Sequence, residues 1–268
     1  MKLDIYQVDS FTTSAFQGNP AGVCLTSSAL TESQMRAIAA EMAVSEIAFL
    51  NLSNDQLRWF TPEVEVALCG HGTLAVAHVL KETGRARVGE TVTFHTLSGA
   101  LAVKIDDTEI EMDFPAARIV RDVPVQQPLI AHLGLNDDQL VAYGEFDGKV
   151  LIEVTDASVV RLLAPNFDGL KQLPGRSVLV TALSDEPGAD CISRYFAPWV
   201  GVNEDPVTGS AHCALAPYWA AKLNKTVLRG YQASTRGGYV KMALQSDNRV
   251  LLAGQAVTVI QGTLLLPA

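Results

Sequence analysis

The sequence predicts a duplicated α+β protein of two pseudo-symmetric lobes, and three recurrences carry that prediction. Arg58-Trp59-Phe60-Thr61-Pro62 returns as Arg194-Tyr195-Phe196-Ala197-Pro198 at an offset of 136 residues. Gly70 opens one apolar helical stretch as Gly209 opens another, 139 residues on, and Gly99-Ala100-Leu101-Ala102-Val103 meets Gly238-Tyr239-Val240-Lys241-Met242 at the same 139. One three-residue insertion between Pro198 and Gly209 puts all three matches in a single register, which unrelated short strings would not share. The expected lobes are residues 1–117 and 118–257, joined near Pro115 to Pro128, with the last strand, about 258–268, free to return to the first lobe. Such an arrangement places a small-molecule site in the cleft between the lobes.

Each element follows from local pattern. Leu3 to Val8 alternates as a strand, and the turn cluster Phe16-Gln17-Gly18-Asn19-Pro20 leads into the apolar run Gly22 to Leu25. Thr31-x-x-Gln34 is a capping box, after which Met35, Ile38, Ala39 and Met42 recur at helical spacing. Strand patterns at Glu46 to Leu50 and Gln56 to Phe60 precede Cys69-Gly70-His71-Gly72-Thr73, which opens the apolar helix Leu74 to Leu80, ending near Gly84. Strands at Thr91 to Thr96, Ala100 to Ile105 and Glu109 to Phe114 close this half. The second half repeats the order: strands at Leu140 to Glu145 and Val150 to Val154, a helix around Ser158 to Leu163, then strands at Ser177 to Ala182 and Ile192 to Phe196. An apolar helix opens at Thr208-Gly209-Ser210-Ala211-His212, is expected to kink at Pro217 and runs toward Asn224, and three more strands finish the chain.

Composition excludes several function classes. The 268 residues are 48% hydrophobic and 18% charged, with a formal charge of −9, so a core can form and neither disorder nor nucleic-acid binding is favoured. No apolar run approaches the ~18 residues of a membrane helix. Asp4 and Asp9 interrupt any signal-peptide core, so the expected location is cytoplasmic. Four cysteines without a CxxC pair fit a reduced compartment, and five histidines form no HExxH or zinc-spaced cluster, so no metal is expected. Gly-rich nucleotide loops and serine-hydrolase motifs are absent as well, and no cofactor is expected.

The chemistry-bearing residues lie at the two glycine-opened helices and one strand start. Small residues at 69–73 and 208–211 let a ligand approach helix N-termini, whose unsatisfied N–H groups suit a carboxylate; close helix packing on strands is the plainer reason for such glycines. Glu46 begins the apolar run Ile47 to Leu50, where burial would raise its pKa and suit it to give and take a proton; a water-facing strand end is the alternative. His71 within its turn would have its pKa lowered by the helix N-terminus, favouring neutral imidazole. Asp205, before the second turn, either pairs with His71 or orients a substrate amine, or simply makes an Asx bond to backbone. Cys69 next to His71 raises a nucleophile reading, weakened because residues two apart in one turn rarely face each other.

Asp9-Ser10-Phe11-Thr12, Phe16-Gln17-Gly18-Asn19-Pro20-Ala21-Gly22-Val23, Ser45-Glu46-Ile47-Ala48-Phe49, Leu68-Cys69-Gly70-His71-Gly72-Thr73 and Glu204-Asp205-Pro206-Val207-Thr208-Gly209-Ser210-Ala211-His212, with the two Arg-aromatic-Phe-x-Pro strings, resemble the phenazine-biosynthesis PhzF-like family along almost the whole chain. The resemblance implies two lobes, each a curled, mostly antiparallel sheet around a central helix, as in diaminopimelate epimerase. It implies a homodimeric, cofactor-free isomerase that moves a proton and double bond in a small carboxylic acid, a dihydro-hydroxyanthranilate type included. It assigns Glu46 as acid/base with His71 and Asp205 assisting, and Asn19, Gly70, Gly72, Thr73, Gly209 and Ser210 as substrate-binding. Related epimerases use two thiols; here Cys69 stands at the first position but Thr208 at the second, and a hydroxyl cannot replace a thiol as proton carrier near neutral pH. A two-thiol racemase is therefore not expected. Two rivals remain: a silent small-acid binding or interaction module, and a Cys69-dependent enzyme.

Overall fold

The computed structural model describes residues 1–266, so the end of the predicted last strand, residues 267–268, lies outside the described residues. The described residues form two compact units: residues 1–113 with 252–266, and residues 114–251.

The first unit begins with β1 (Lys2–Ser10) and β2 (Asn19–Thr26), antiparallel to each other. The turn between them depends on Gly18, whose φ is +67° and whose added Cβ would lie 2.1 Å from the Ser10 carbonyl oxygen, so neither the torsion nor the space admits a side chain. Buried Asp9 steadies the same loop by accepting the Phe16 N–H at 2.7 Å. Helix α1 (Glu32–Met42) starts at the capping box, with Gln34 N–H donating to Thr31 Oγ1 and Thr31 N–H donating back to Gln34 Oε1. Next come β3 (Ile47–Asn51), β4 (Gln56–Phe60), the short β5 (Glu65–Val66), α2 (Gly70–Glu82), β6 (Thr91–Thr96), β7 (Gly99–Ile105) and β8 (Ile110–Pro115).

The second unit runs α3 (Gln127–Leu133), β9 (Leu140–Phe146), β10 (Lys149–Val154), α4 (Ala157–Leu162), α5 (Phe167–Lys171), β11 (Val178–Leu183), β12 (Cys191–Ala197), β13 (Val202–Glu204), α6 (Gly209–Leu223), β14 (Val227–Gln232), β15 (Gly238–Leu244) and β16 (Arg249–Gly254). A final strand, β17 (Ala256–Leu265), pairs antiparallel with β1 in the first unit, so four strands rather than three follow α6. The extra one arises because Gly254-Gln255 divides a stretch that reads as one apolar run.

Pairing repeats between the units strand for strand. β2 is parallel to β3 as β10 is to β11, β3 antiparallel to β4 as β11 is to β12, and β4 parallel to β6 as β12 is to β14. The short strands that the pattern reading missed, β5 and β13, are held by the same device. Arg58 grips Glu65 through Nε and Nη2 at 2.7 and 2.6 Å, and Arg194 grips Glu204 at 2.7 and 2.9 Å. Each guanidinium also lies about 5 Å from the following Phe ring, 5.0 Å for Phe60 and 4.9 Å for Phe196. These clamps confine the three-residue insertion to 199–203, where a 3-10 turn over Pro198–Val200 precedes β13.

Each unit wraps its sheet around one helix. α2 packs against β1, β2, β3, β7 and β17, and its residues from His71 to Leu80 are buried apart from His78. α6 packs on β14 and β15 and is buried on nearly every side, as a central helix must be. Pro217 sits inside α6 and cannot donate to the carbonyl of Cys213 four residues back; the Ala117 N–H takes that acceptor at 3.0 Å. The predicted linker is thereby tied to the second unit's central helix, and its end folds into α3.

Candidate active site

In the first unit, the start of β3 and the start of α2 bring three reactive side chains together. Glu46 directly precedes β3, and His71 is the second residue of α2, with Glu46 Oε2 3.4 Å from His71 Nε2. Cys69, the residue capping α2, has its Sγ 3.6 and 3.8 Å from the two ring nitrogens of His71. That near-equality means the sulfur flanks the ring; a linear hydrogen bond to one nitrogen would leave the other much farther away. The helix start is held rigidly, since Ser10 Oγ donates to the His71 carbonyl at 2.8 Å and Thr73 Oγ1 to the Cys69 carbonyl at 2.7 Å.

The charge states differ from those expected of each residue alone. Burial pushes the Glu46 carboxyl up, but the hydrogen bond and charge of His71, with a smaller contribution from Ser45, outweigh it and hold the pKa below the ordinary value. Burial likewise pulls His71 down, while a Cys69 thiolate and the Glu46 carboxylate raise it well above the usual imidazole value; with the thiol protonated, Glu46 is the partner that holds the imidazolium. The sequence-based expectations of a raised Glu46 and a neutral His71 are both corrected: mutual pairing beats burial and the helix N-terminus, giving a carboxylate beside an imidazolium. Cys69 is pushed up by burial more than His71 pulls it down, so its thiol keeps its proton at neutral pH.

Gly72 lets the indole of Trp59 approach this turn, because an added Cβ would lie 3.0 Å from both Trp59 Cδ1 and Cys69 Sγ. Asn19 begins β2, fully buried, opposite Ser10. Gly70 is half-buried at the helix opening, while Thr73 is fully buried with its hydroxyl donated to Cys69. Glu46, Cys69 and His71 also have ligand atoms within 4.8 Å of one another, an O, S and N set that a soft divalent ion would accept. The imidazolium form of His71 opposes that use, since a metal would have to displace its proton.

The second unit carries the same positions with different chemistry. Val150 N–H donates to the Ser177 carbonyl at 3.0 Å as Gly22 N–H donates to the Glu46 carbonyl at 3.1 Å, which makes Ser177 the structural counterpart of Glu46. By the 139-residue register, Thr208 stands for Cys69 and Ser210 for His71. Ser177 Oγ and Tyr195 OH share a 2.6 Å hydrogen bond, and Lys149 Nζ donates to Ser210 Oγ at 3.1 Å. Asp205 accepts the Thr208 hydroxyl at 2.5 Å, and buried Gln232 binds the Asp205 carbonyl and the Thr208 N–H at 2.7 and 2.9 Å. Gly209 opens α6 with exposed Ser210 beside it. His212 is fully buried, its pKa lowered to about 4 by that burial, with Nδ1 2.8 Å from the Thr208 carbonyl. Sequence reading missed Lys149, Ser177 and Gln232, which lie at strand ends without any motif; Ser177 stands 131 residues after Glu46, outside the 136- and 139-residue register, because β11 and β12 are joined by a longer connection than β3 and β4, and only the strand pairing reveals it.

Comparison with known proteins decides the family. The family model described as phenazine biosynthesis-like protein matches residues 8–262. This chain belongs to that family. An uncharacterized isomerase of Halalkalibacterium halodurans is 47% identical over 268 residues, covering 99% of this chain and all of the relative. The crystal structure of a PhzF-family phenazine biosynthesis protein from Enterococcus faecalis superposes with a TM-score of 0.91 at 38% identity, over 99% of this chain and 100% of that one. The same fold extends to a probable proline racemase of Agrobacterium radiobacter, at a TM-score of 0.65 and 13% identity, over 99% and 93% of the two chains. The phenazine biosynthesis-like chain thus shares its fold with that probable proline racemase.

Proposed function

We propose that this protein is a cofactor-independent isomerase that moves a proton, and with it a double bond, within a small unsaturated carboxylic acid. The observation that carries the reading is the partly buried Glu46 carboxylate 3.4 Å from the buried His71 ring. Glu46 takes a proton from a carbon next to a π-system; the released electron pair shifts the double bond; the same carboxyl returns the proton to another carbon. Atoms and electrons balance within the substrate, so no oxidant or cofactor is required. His71 as imidazolium holds Glu46 ionised and offsets negative charge developing on the substrate. Asn19, Gly70, Gly72 and Thr73 are proposed to shape the acid's position, with Asp205, Gly209 and Ser210 contributing from the second repeat. The name of the Halalkalibacterium relative, an isomerase, supports the reaction class.

The testing experiment is proton NMR in D2O with dihydro-hydroxyanthranilic acid and a panel of unsaturated and amino acids. Deuterium entering an unsaturated acid at carbon, without racemisation of the amino acids, is the expected result. Racemisation well above background would show instead a thiol or other two-base mechanism. Binding of acids without exchange anywhere would favour the silent binding module.

A further inference from the structure

The second unit holds a buried cation that nothing in the proton-transfer scheme uses. Lys149 is 9% exposed, yet among the described residues its ammonium forms no ion pair; its one hydrogen bond is to Ser210 Oγ at 3.1 Å, and the Phe146 ring centroid lies 5.3 Å away. A largely buried lysine whose ammonium has no counter-ion is unfavourable, so its retention calls for an anion from outside the chain. Arg176 also forms no ion pair among the described residues, and Lys149, Arg176 and Ser177 line a single cavity of about 90 Å³ together with Gln126, Glu145 and Trp199. That volume exceeds the ~10–15 Å³ that one water needs. Glu145 supplies one negative charge against two positive ones, and Asp147 attracts Lys149 only from beyond ion-pair distance, on an exposed turn.

Hydrogen-bond inventory gives the cluster a direction. A lysine ammonium has donors alone, so Ser210 Oγ must accept from Lys149, and the Ser210 hydroxyl keeps its donor for its other hydrogen-bond neighbour, Tyr195. Ser177 and Tyr195 hold the neighbouring hydroxyls in their own 2.6 Å bond. The positions that carry the acid/base pair in the first repeat have become hydroxyls backed by a cation in the second.

The geometry points to Lys149, assisted by Arg176, as an anion receptor of the second unit that takes the carboxylate of a small monocarboxylic acid into the cavity these two residues line with Ser177. The receptor deepens the isomerase reading and rests on it only for the ligand being a small acid. Lys149 is a specificity-determining residue in this scheme, separate from the Glu46 proton shuttle.

Calorimetry with benzoate and its neutral analogue benzamide tests the receptor, using wild type, Lys149→Met, Lys149→Arg and Arg176→Met. Benzoate affinity is expected to fall about 10–100-fold in Lys149→Met, by less in Arg176→Met, and to recover within about threefold in Lys149→Arg, because a charge-assisted hydrogen bond is lost and then restored. Benzamide should bind all four proteins equally weakly. Lys149→Arg and thermal melts of each variant keep a folding defect from mimicking the result. Unchanged benzoate affinity in Lys149→Met, or no benzoate binding to wild type, overturns the receptor. Inorganic phosphate binding more tightly than benzoate with the same Lys149 dependence overturns its carboxylate assignment. Lys149-dependent benzoate binding without any proton exchange refutes the isomerase alone. Exchange whose KM ignores Lys149→Met refutes the receptor alone.

Discussion

His71→Gln separates the two halves of the proposed acid/base pair, and the contacts of Glu46 and His71 set the direction of every change. The imidazolium 3.4 Å from Glu46 supplies the largest effects that lower the carboxyl pKa, and with it gone burial remains, which raises it. Wild-type activity should therefore persist on the acid side to below the ordinary carboxylate value, and in His71→Gln that limb should move to higher pH. On the alkaline side the raised His71 loses its proton above the usual imidazole range, so wild type should lose rate there, and the variant should show no such limb. At an effective dielectric near 20, unit charges at this separation attract by about 5 kcal/mol, a ceiling that desolvation of both groups reduces. A net 1.5–3 kcal/mol for a hydrogen bond to a charged group gives a loss of about 10–150-fold in kcat/KM at the pH optimum. The assay is kcat/KM for deuterium exchange followed by NMR from about pH 4 to 10, with His71→Gln beside wild type. An acid limb that stays in place or moves down in the variant would refute the pairing, as would an alkaline limb that survives the loss of the ring.

Other consequences follow from the same contacts. Cys69→Ala is expected to keep exchange within about threefold of wild type and to resist thiol reagents, because the buried thiol stays protonated and flanks the ring; inactivation by this substitution would establish the Cys69-dependent reading. Arg194→Met should destabilise more than Arg58→Met, about 2–4 against about 1–2 kcal/mol by urea denaturation, since Arg194 also donates to the Leu163 carbonyl at 2.7 Å whereas the second partner of Arg58 is the exposed Glu32. Equal effects would show that the carbonyl contact contributes nothing. Chelation with EDTA should leave exchange unchanged; loss restored by added zinc would assign the Glu46, Cys69 and His71 set to a metal.

Much of the fold is legible because its signals are local. The capping box at Thr31 fixes the start of α1, alternation marks the longer strands, and the repeated Arg-aromatic-Phe-x-Pro strings reveal the duplication. What escapes depends on distant partners. β5 and β13 are two and three residues long and exist through Arg58–Glu65 and Arg194–Glu204 clamps, and α3 hides in a proline-rich stretch read as a joint. At the site the residues Glu46 and His71 are legible, but their charges are not. Each pKa inferred in isolation takes burial or a helix terminus as its cause, and the pairing that reverses both shifts appears only when β3 and α2 are in place. Lys149 escapes for the same reason: one lysine beside a strand pattern is ordinary until its side chain is found largely buried without an ion-pair partner among the described residues.

The most direct test of the account compares Glu46→Gln with wild type, measuring acid binding by calorimetry and deuterium incorporation by NMR in the same preparations. Glutamine keeps the shape and removes the proton carrier, so turnover should fall by about 10²–10⁴-fold while the dissociation constant changes by less than about tenfold. Turnover preserved in Glu46→Gln, or lost only in proportion to binding, would contradict glutamate acid/base catalysis and make Glu46 a structural partner of His71.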